Sequence, residues 1–227
     1  MKGLFRPSQQ VQRVLNTITT PPCEKCAPNV RQLALVIRTG NNEYNQFLSE
    51  GDEQIFVRCL NNYVREEHLR SAGAVKLYRV LVTSDSSSVK EQAAALVRDM
   101  YARYDEAVKR QMRVEVVTLT DSVVHIMSGG DHGGGGGKGG KLNLLVKTYA
   151  EYFAIARCDV KFLTHGSLFG QTAAERRDDV AATSTEATKA AAADVFYISD
   201  SNCDGLRSKY SYLECHYPKY PVICGMS

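Results

Sequence analysis

The sequence predicts an α/β fold: a Rossmann-like parallel sheet with helices on both faces. Two observations carry this. Short apolar runs alternate along the chain with segments whose apolar residues recur at helical spacing. Each apolar run also ends in polar or turn-forming residues, as strands feeding helical crossovers do. With 227 residues, 44% of them hydrophobic, the chain can bury a sizeable core, and we read residues 1–227 as a single domain.

The elements follow in order. Residues 5–18 read as a helix, with Pro7 and Ser8 as start signals and Val11, Val14, Leu15 and Ile18 on one face. Residues 19–29 are a loop punctuated by Pro21, Pro22 and Pro28. The run RQLALVIR, 31–38, is a first strand, ending in the turn cluster Arg38-Thr39-Gly40-Asn41-Asn42. Residues 52–68 form a helix with Ile55, Phe56, Cys59, Leu60 and Tyr63 on one side. VKLYRVLVT, 75–83, is a second strand; Ser84-Asp85-Ser86-Ser87-Ser88 then leads into a helix from Val89 to about Arg103. RVEVVTL, 113–119, is a third strand. The segment 128–141, SGGDHGGGGGKGGK, has nine glycines and is expected to be a flexible insertion. A helix over 142–156, a fourth strand over 160–163, a helical segment over 171–177 and a last strand over 194–199 complete the core. Residues 179–194 read as a weak helix or a linker, and the Cys-containing tail, 200–227, as irregular.

Composition narrows the function. The balance of 28 basic against 25 acidic residues gives +3, without the strong basicity that nucleic-acid binding calls for. No run has the length of a membrane span, and the N-terminus lacks the apolar centre of a signal peptide. Cys23-Glu24-Lys25-Cys26 is a CxxC without the second ligand pair zinc needs, so no metal is expected. Disulfides or unreactive thiols are the expectation for the cysteines, with one of the seven left unpaired. Lys138 is followed by glycine, not Ser or Thr, which excludes a Walker phosphate loop, and His132 beside it reads as solvated. No G-x-G-x-x-G follows the first strand, which argues against a dinucleotide site.

Parallel sheets bind ligands beyond the carboxyl ends of their strands. Those ends carry Arg38, then Ser84-Asp85-Ser86, then Thr164-His165-Gly166-Ser167. A cation, a carboxylate and a hydroxyl-glycine turn opening a helix suit a nucleoside diphosphate. Arginine can hold its oxygens with two parallel hydrogen bonds, and backbone N–H groups from Ser167 to Gly170 can cradle it. Each residue also has a plainer reading. Arg38 could form a surface ion pair, Asp85 could cap a helix, and Glu151 could pair with Lys147 four residues earlier on a solvated face. His165 could simply fill a polar gap, and Phe169 could be a core anchor. Ser167 lacks the base of a hydrolase nucleophile.

Four stretches, in order, resemble the donor-binding C-terminal half of GDP-fucose-dependent fucosyltransferases, GT-B enzymes that include nodulation-type and protein O-fucosyl relatives. They are LFRPSQQVQRVL (4–15), LVIRTG (35–40), VLVTSDS (80–86) and EYFAIARCDVKFLTHGSLFGQTAAE (151–175). The first resembles the helix, 4–18, by which the chain enters the donor domain. The resemblance implies a glycosyltransferase domain that binds GDP-fucose for transfer to a glycan or glycoprotein acceptor. Transfer would proceed with inversion and without metal or cofactor. Arg38 would be the catalytic arginine on the β-phosphate. Ser167, Leu168, Phe169 and Gly170 would hold phosphate oxygens, Glu151 the guanine edge, and Asp85 a ribose hydroxyl or Arg38 itself; His165 joins them as a donor-site candidate. Val36 and Asn41 depart from the family's histidine and acidic residue. Only a few residues precede the first helix, so the resemblance implies a fragment lacking the acceptor domain, placed in the Golgi or secretory lumen if part of a longer anchored protein. The alternative is a catalytically inactive relative that serves as an interaction module.

Overall fold

The structure is a computed structural model, and it describes residues 7–18, 29–39, 53–119, 138–175 and 194–198. Among the described residues the elements run α1 (Gln9–Ile18), β1 (Val30–Ile37), α2 (Glu53–Arg70), β2 (Leu77–Ser84), α3 (Ser87–Ala102), α4 (Glu106–Gln111), β3 (Arg113–Val117), α5 (Lys138–Arg157), β4 (Val160–Thr164), α6 (Leu168–Glu175) and β5 (Asp194–Ile198). The five strands form one parallel sheet in the order β3-β2-β1-β4-β5. This is the expected α/β, Rossmann-like architecture.

Alternation of side chains along the central strands divides the core into two layers. Leu33, Leu35 and Ile37 of β1 join Phe56, Leu60 and Tyr63 of α2 and Val89, Ala93 and Val97 of α3. Ala34 and Val36 point the other way, toward Val11 and Leu15 of α1, Ala150 and Ala154 of α5 and Ala173 of α6. In the first layer the Phe162 and Phe196 rings stack at 4.8 Å, with Tyr63 edge-on to both. The helices therefore cover both faces.

The chain runs outward from β1 to β2 and β3, then returns to β4 and β5 on the other side. The reversal lies between β1 and β4. At that point the crossovers leave on opposite faces, which opens a crevice beyond the strand ends.

Several boundaries differ from expectation. Strand β1 stops at Ile37, so Arg38 lies just beyond the sheet. Helix α1 begins at Gln9, with Ser8 as its cap: the Ser8 hydroxyl accepts from Val11 N–H at 3.3 Å. Helix α5 begins at Lys138, so residues 138–141 are helical and not part of a loose insertion; the rest of that insertion lies outside the described residues. Two glycines in the first turn are tolerated because the apolar face downstream, which includes Ala150 and Phe153, anchors the helix. Helix α6 begins at Leu168, three residues before its expected start. Helix α4 was not expected at all. Cys59 and Cys158 are both buried; the other five cysteines, the CxxC included, lie outside the described residues. The 179–194 segment, save its last residue, and the tail also lie outside them. Among the described residues no helix is long and apolar enough to cross a membrane, and no group of His, Cys, Asp and Glu could hold a metal ion.

Candidate functional site

The turn after β4 brings the chain sharply into α6. Gly166 has φ +79°, a left-handed conformation that glycine adopts without a Cβ clash. Ser167 then caps the helix: its hydroxyl accepts from Gly170 N–H at 3.3 Å and its carbonyl from Gln171 N–H at 2.9 Å. Gly170 sits where packing is tight. A Cβ there would sit 3.3 Å from Leu163 Cδ2 and 3.5 Å from Val36 Cγ1. Its absence lets α6 lie close on β4 and β1, and the first-turn amides of Leu168 and Phe169 belong to the end of the helix that has no intrahelical acceptors.

Arg38 reaches the same place from β1. Thr164, the last residue of β4, ties the two strand ends together: its hydroxyl accepts from Arg38 N–H at 2.8 Å and donates to the Val36 carbonyl at 3.1 Å. The Arg38 guanidinium lies over the Phe169 ring, its Cζ 4.4 Å from the centroid. Arg38 and the start of α6 thus share one rim. Arg38 is only 7% exposed, and it forms no ion pair among the described residues. Burial pushes its pKa down, and the charges of Asp85 and Glu151 only partly offset that. The plainer reading of Arg38, a surface ion pair, does not describe this side chain.

Asp85 and Glu151 line the β2 side. Asp85 does not cap α3; Ser86 does, accepting from Val89 N–H. Asp85 Oδ1 instead accepts from the Thr39 amide at 3.0 Å and the Thr39 hydroxyl at 3.1 Å, which fixes the chain as it leaves Arg38. Glu151 is 1% exposed, so the solvated pair with Lys147 is excluded. Its Oε2 accepts from the Thr83 hydroxyl at 2.7 Å, while Oε1 is buried without a hydrogen-bond partner among the described residues. Burial pushes the Glu151 pKa up to about 7, although the Thr83 hydrogen bond, Lys90 and Arg38 all oppose the rise. A buried acceptor with nothing to accept is a disfavoured state that a ligand with N–H donors would relieve.

His165 stands apart. It is exposed, its amide donates to the Ile198 carbonyl at 2.7 Å, and its ring meets Tyr197 edge-on on the β5 side. Leu168, 75% exposed, can contribute only its amide to an anion. Two polar residues that no motif singled out also belong to this cluster: Thr83, through its bond to Glu151, and Lys90, which is 3% exposed and acts on Glu151 electrostatically. A lysine just inside a serine-rich helix start reads as solvated, so the sequence held no signal for it.

A groove of about 630 Å³ lies elsewhere, along α2, α3 and α4, lined in part by Arg58, Arg65, Met100, Arg103 and Tyr104. None of the strand-end residues borders it.

No family model matches the chain, and no curated protein does. Among solved structures, the chain is similar to an arginine-to-lysine mutant of Arabidopsis thaliana FUT1 in complex with GDP. The identity is 15% and the TM-score 0.42, and the match covers 75% of this chain and 32% of that one. The chain thus spans about a third of that protein's length.

Proposed function

We propose that the chain is a donor-binding domain of the fucosyltransferase-like glycosyltransferases, with GDP-fucose as the nucleotide sugar. One observation carries the reading. At the crevice between β1 and β4, a buried arginine that forms no ion pair among the described residues lies beside a helix N-terminus, and a buried carboxylate with one oxygen unpartnered among those residues lies on the adjacent strand side. The first two elements suit a diphosphate. The third suits a base edge with adjacent N–H and NH2 donors, which guanine has and adenine lacks.

Within this reading, Arg38 neutralises charge building on the β-phosphate as the C1–O bond of the sugar breaks. The Leu168 and Phe169 amides hold further phosphate oxygens. Ser167 and Gly170 set the helix in place, and the Ser167 hydroxyl, which accepts from Gly170 N–H, keeps its own proton to donate to a phosphate oxygen. Asp85 orders the turn that presents Arg38 and biases it electrostatically. Glu151 in its ionised form accepts from guanine. Transfer to a glycan or glycoprotein acceptor, without metal, belongs to the same proposal, as does residence in the Golgi or secretory lumen.

Calorimetric titration of the chain with GDP, and with ADP in parallel, tests this. GDP should bind, and ADP should bind at least tenfold more weakly. Equal affinity for the two, or no affinity for either, overturns the assignment.

A further inference from the structure

Arg38 poses a mechanical problem. An arginine side chain has about 2 kcal/mol of rotamer freedom to lose. A salt bridge would fix it, but no described residue accepts a hydrogen bond from this guanidinium. The group is nonetheless buried, and burial acts against its charge.

The contact that does hold it is the Phe169 ring, 4.4 Å away. That ring is itself held. Tyr152 meets it edge-on at 5.7 Å and 71°, and the Tyr152 hydroxyl donates to the Thr172 carbonyl of α6 at 3.1 Å. Tyr152 in turn packs edge-on against the buried ring of Phe153. The shelf under Arg38 is therefore tied to α5 and α6 together.

A ring face and a carboxylate fix an arginine with opposite consequences. A carboxylate takes two of the five N–H donors and cancels the charge. A ring attracts the cation through its quadrupole, most strongly where water is excluded, and leaves the in-plane donors open. Phe169 also contributes one of the two first-turn amides. One residue thus sets the spacing between the guanidinium and the helix N-terminus.

We propose that Phe169 is a positioning residue whose ring holds Arg38 charged, oriented and unneutralised beside the α6 amides, ready for the diphosphate of the donor. The identity of that ligand rests on the nucleotide-sugar reading above; the positioning role extends to any diphosphate.

The experiment uses the full chain, wild type and the variants Phe169→Leu and Phe169→Tyr. Proton NMR follows the Arg38 side chain, while GDP and inorganic pyrophosphate are titrated separately. In the wild type the Arg38 δ-methylene and ε N–H signals should show upfield ring-current shifts. Phe169→Leu should lose those shifts and bind both GDP and pyrophosphate about tenfold to thirtyfold more weakly, in line with a desolvated cation–ring contact. Phe169→Tyr should restore the shifts and most of the affinity. Absence of the shifts in the wild type, which needs no variant to fold, overturns the inference. So does unchanged pyrophosphate affinity in a folded Phe169→Leu protein, or a wild type that binds neither pyrophosphate nor nucleotide. Phe169-dependent pyrophosphate binding with no preference for GDP over ADP would leave the positioning role standing and remove the guanine assignment.

Discussion

Replacing Arg38 by methionine separates a binding arginine from a structural one. Methionine keeps an unbranched apolar stem and can rest on Phe169, with a favourable sulfur–ring contact. The folded protein gives up a cation–ring contact of about 2 kcal/mol. It also sheds a buried charge whose desolvation the nearby carboxylates do not fully offset. The two changes oppose each other, so unfolding free energy in urea should move by no more than about 1 kcal/mol. Ligand binding has no such compensation. Two hydrogen bonds from a charged donor contribute about 1.5–3 kcal/mol each. Their loss should weaken GDP binding by about a hundredfold to a thousandfold or more, at 1.4 kcal/mol per factor of ten. Calorimetry and urea denaturation on the same preparations give both numbers. A variant destabilised by more than about 3 kcal/mol that still binds GDP at wild-type affinity would refute the reasoning and make Arg38 a piece of the scaffold.

Glu151 gives a pH signature. Its folded-state pKa, about 7, is raised above the ordinary 4.5, so its contribution to stability is complete below pH 4.5 and is lost as pH rises through 7. At 1.36 kcal/mol per pH unit that interval integrates to at most about 3 kcal/mol. Wild type should therefore lose stability relative to Glu151→Gln between pH 5 and pH 8, as read by urea midpoints; parallel curves would contradict the burial-driven pKa. Binding has the opposite sign, because guanine requires the ionised carboxylate. GDP affinity should fall about tenfold per pH unit below 7, relative to ADP over the same range. Thr164→Val leaves the buried Arg38 amide without its acceptor and should destabilise the fold by about 1–3 kcal/mol. Gly170→Val presses a branched side chain onto Leu163 and Val36 and should cost about 1–3 kcal/mol, seen as a lowered Tm.

The sheet is legible because β1, β2 and β4 are mostly apolar runs bounded by turn clusters, as strands buried on both faces usually are. Helix α4 is not, since EAVKRQ is six residues long and buries none of them. The start of α6 is not legible because Gly170 reads as a turn residue, whereas it lets a helix approach β4 closely. Strand-end logic and family resemblance name Arg38 and Ser167 and put them on one diphosphate; the contact of the Phe169 ring with the Arg38 guanidinium is not legible in them. Ring and guanidinium meet only because β1 and β4 are neighbours on either side of the chain reversal. Glu151 shows the limit most sharply. A Lys147 one turn away leaves a solvated pair and a guanine contact equally open, and only the packing of α5 on β2 reveals a carboxylate with one oxygen bonded to Thr83 and the other without a partner among the described residues.

The most direct test is a crystal structure of the chain with GDP bound. The β-phosphate should lie within hydrogen-bond reach of the Arg38 guanidinium and the Phe169 amide, with the guanine edge on Glu151 Oε1. A nucleotide seated instead in the groove along α2, α3 and α4, or touching α6 without Arg38, would contradict the central claim that β1 and α6 jointly hold one diphosphate.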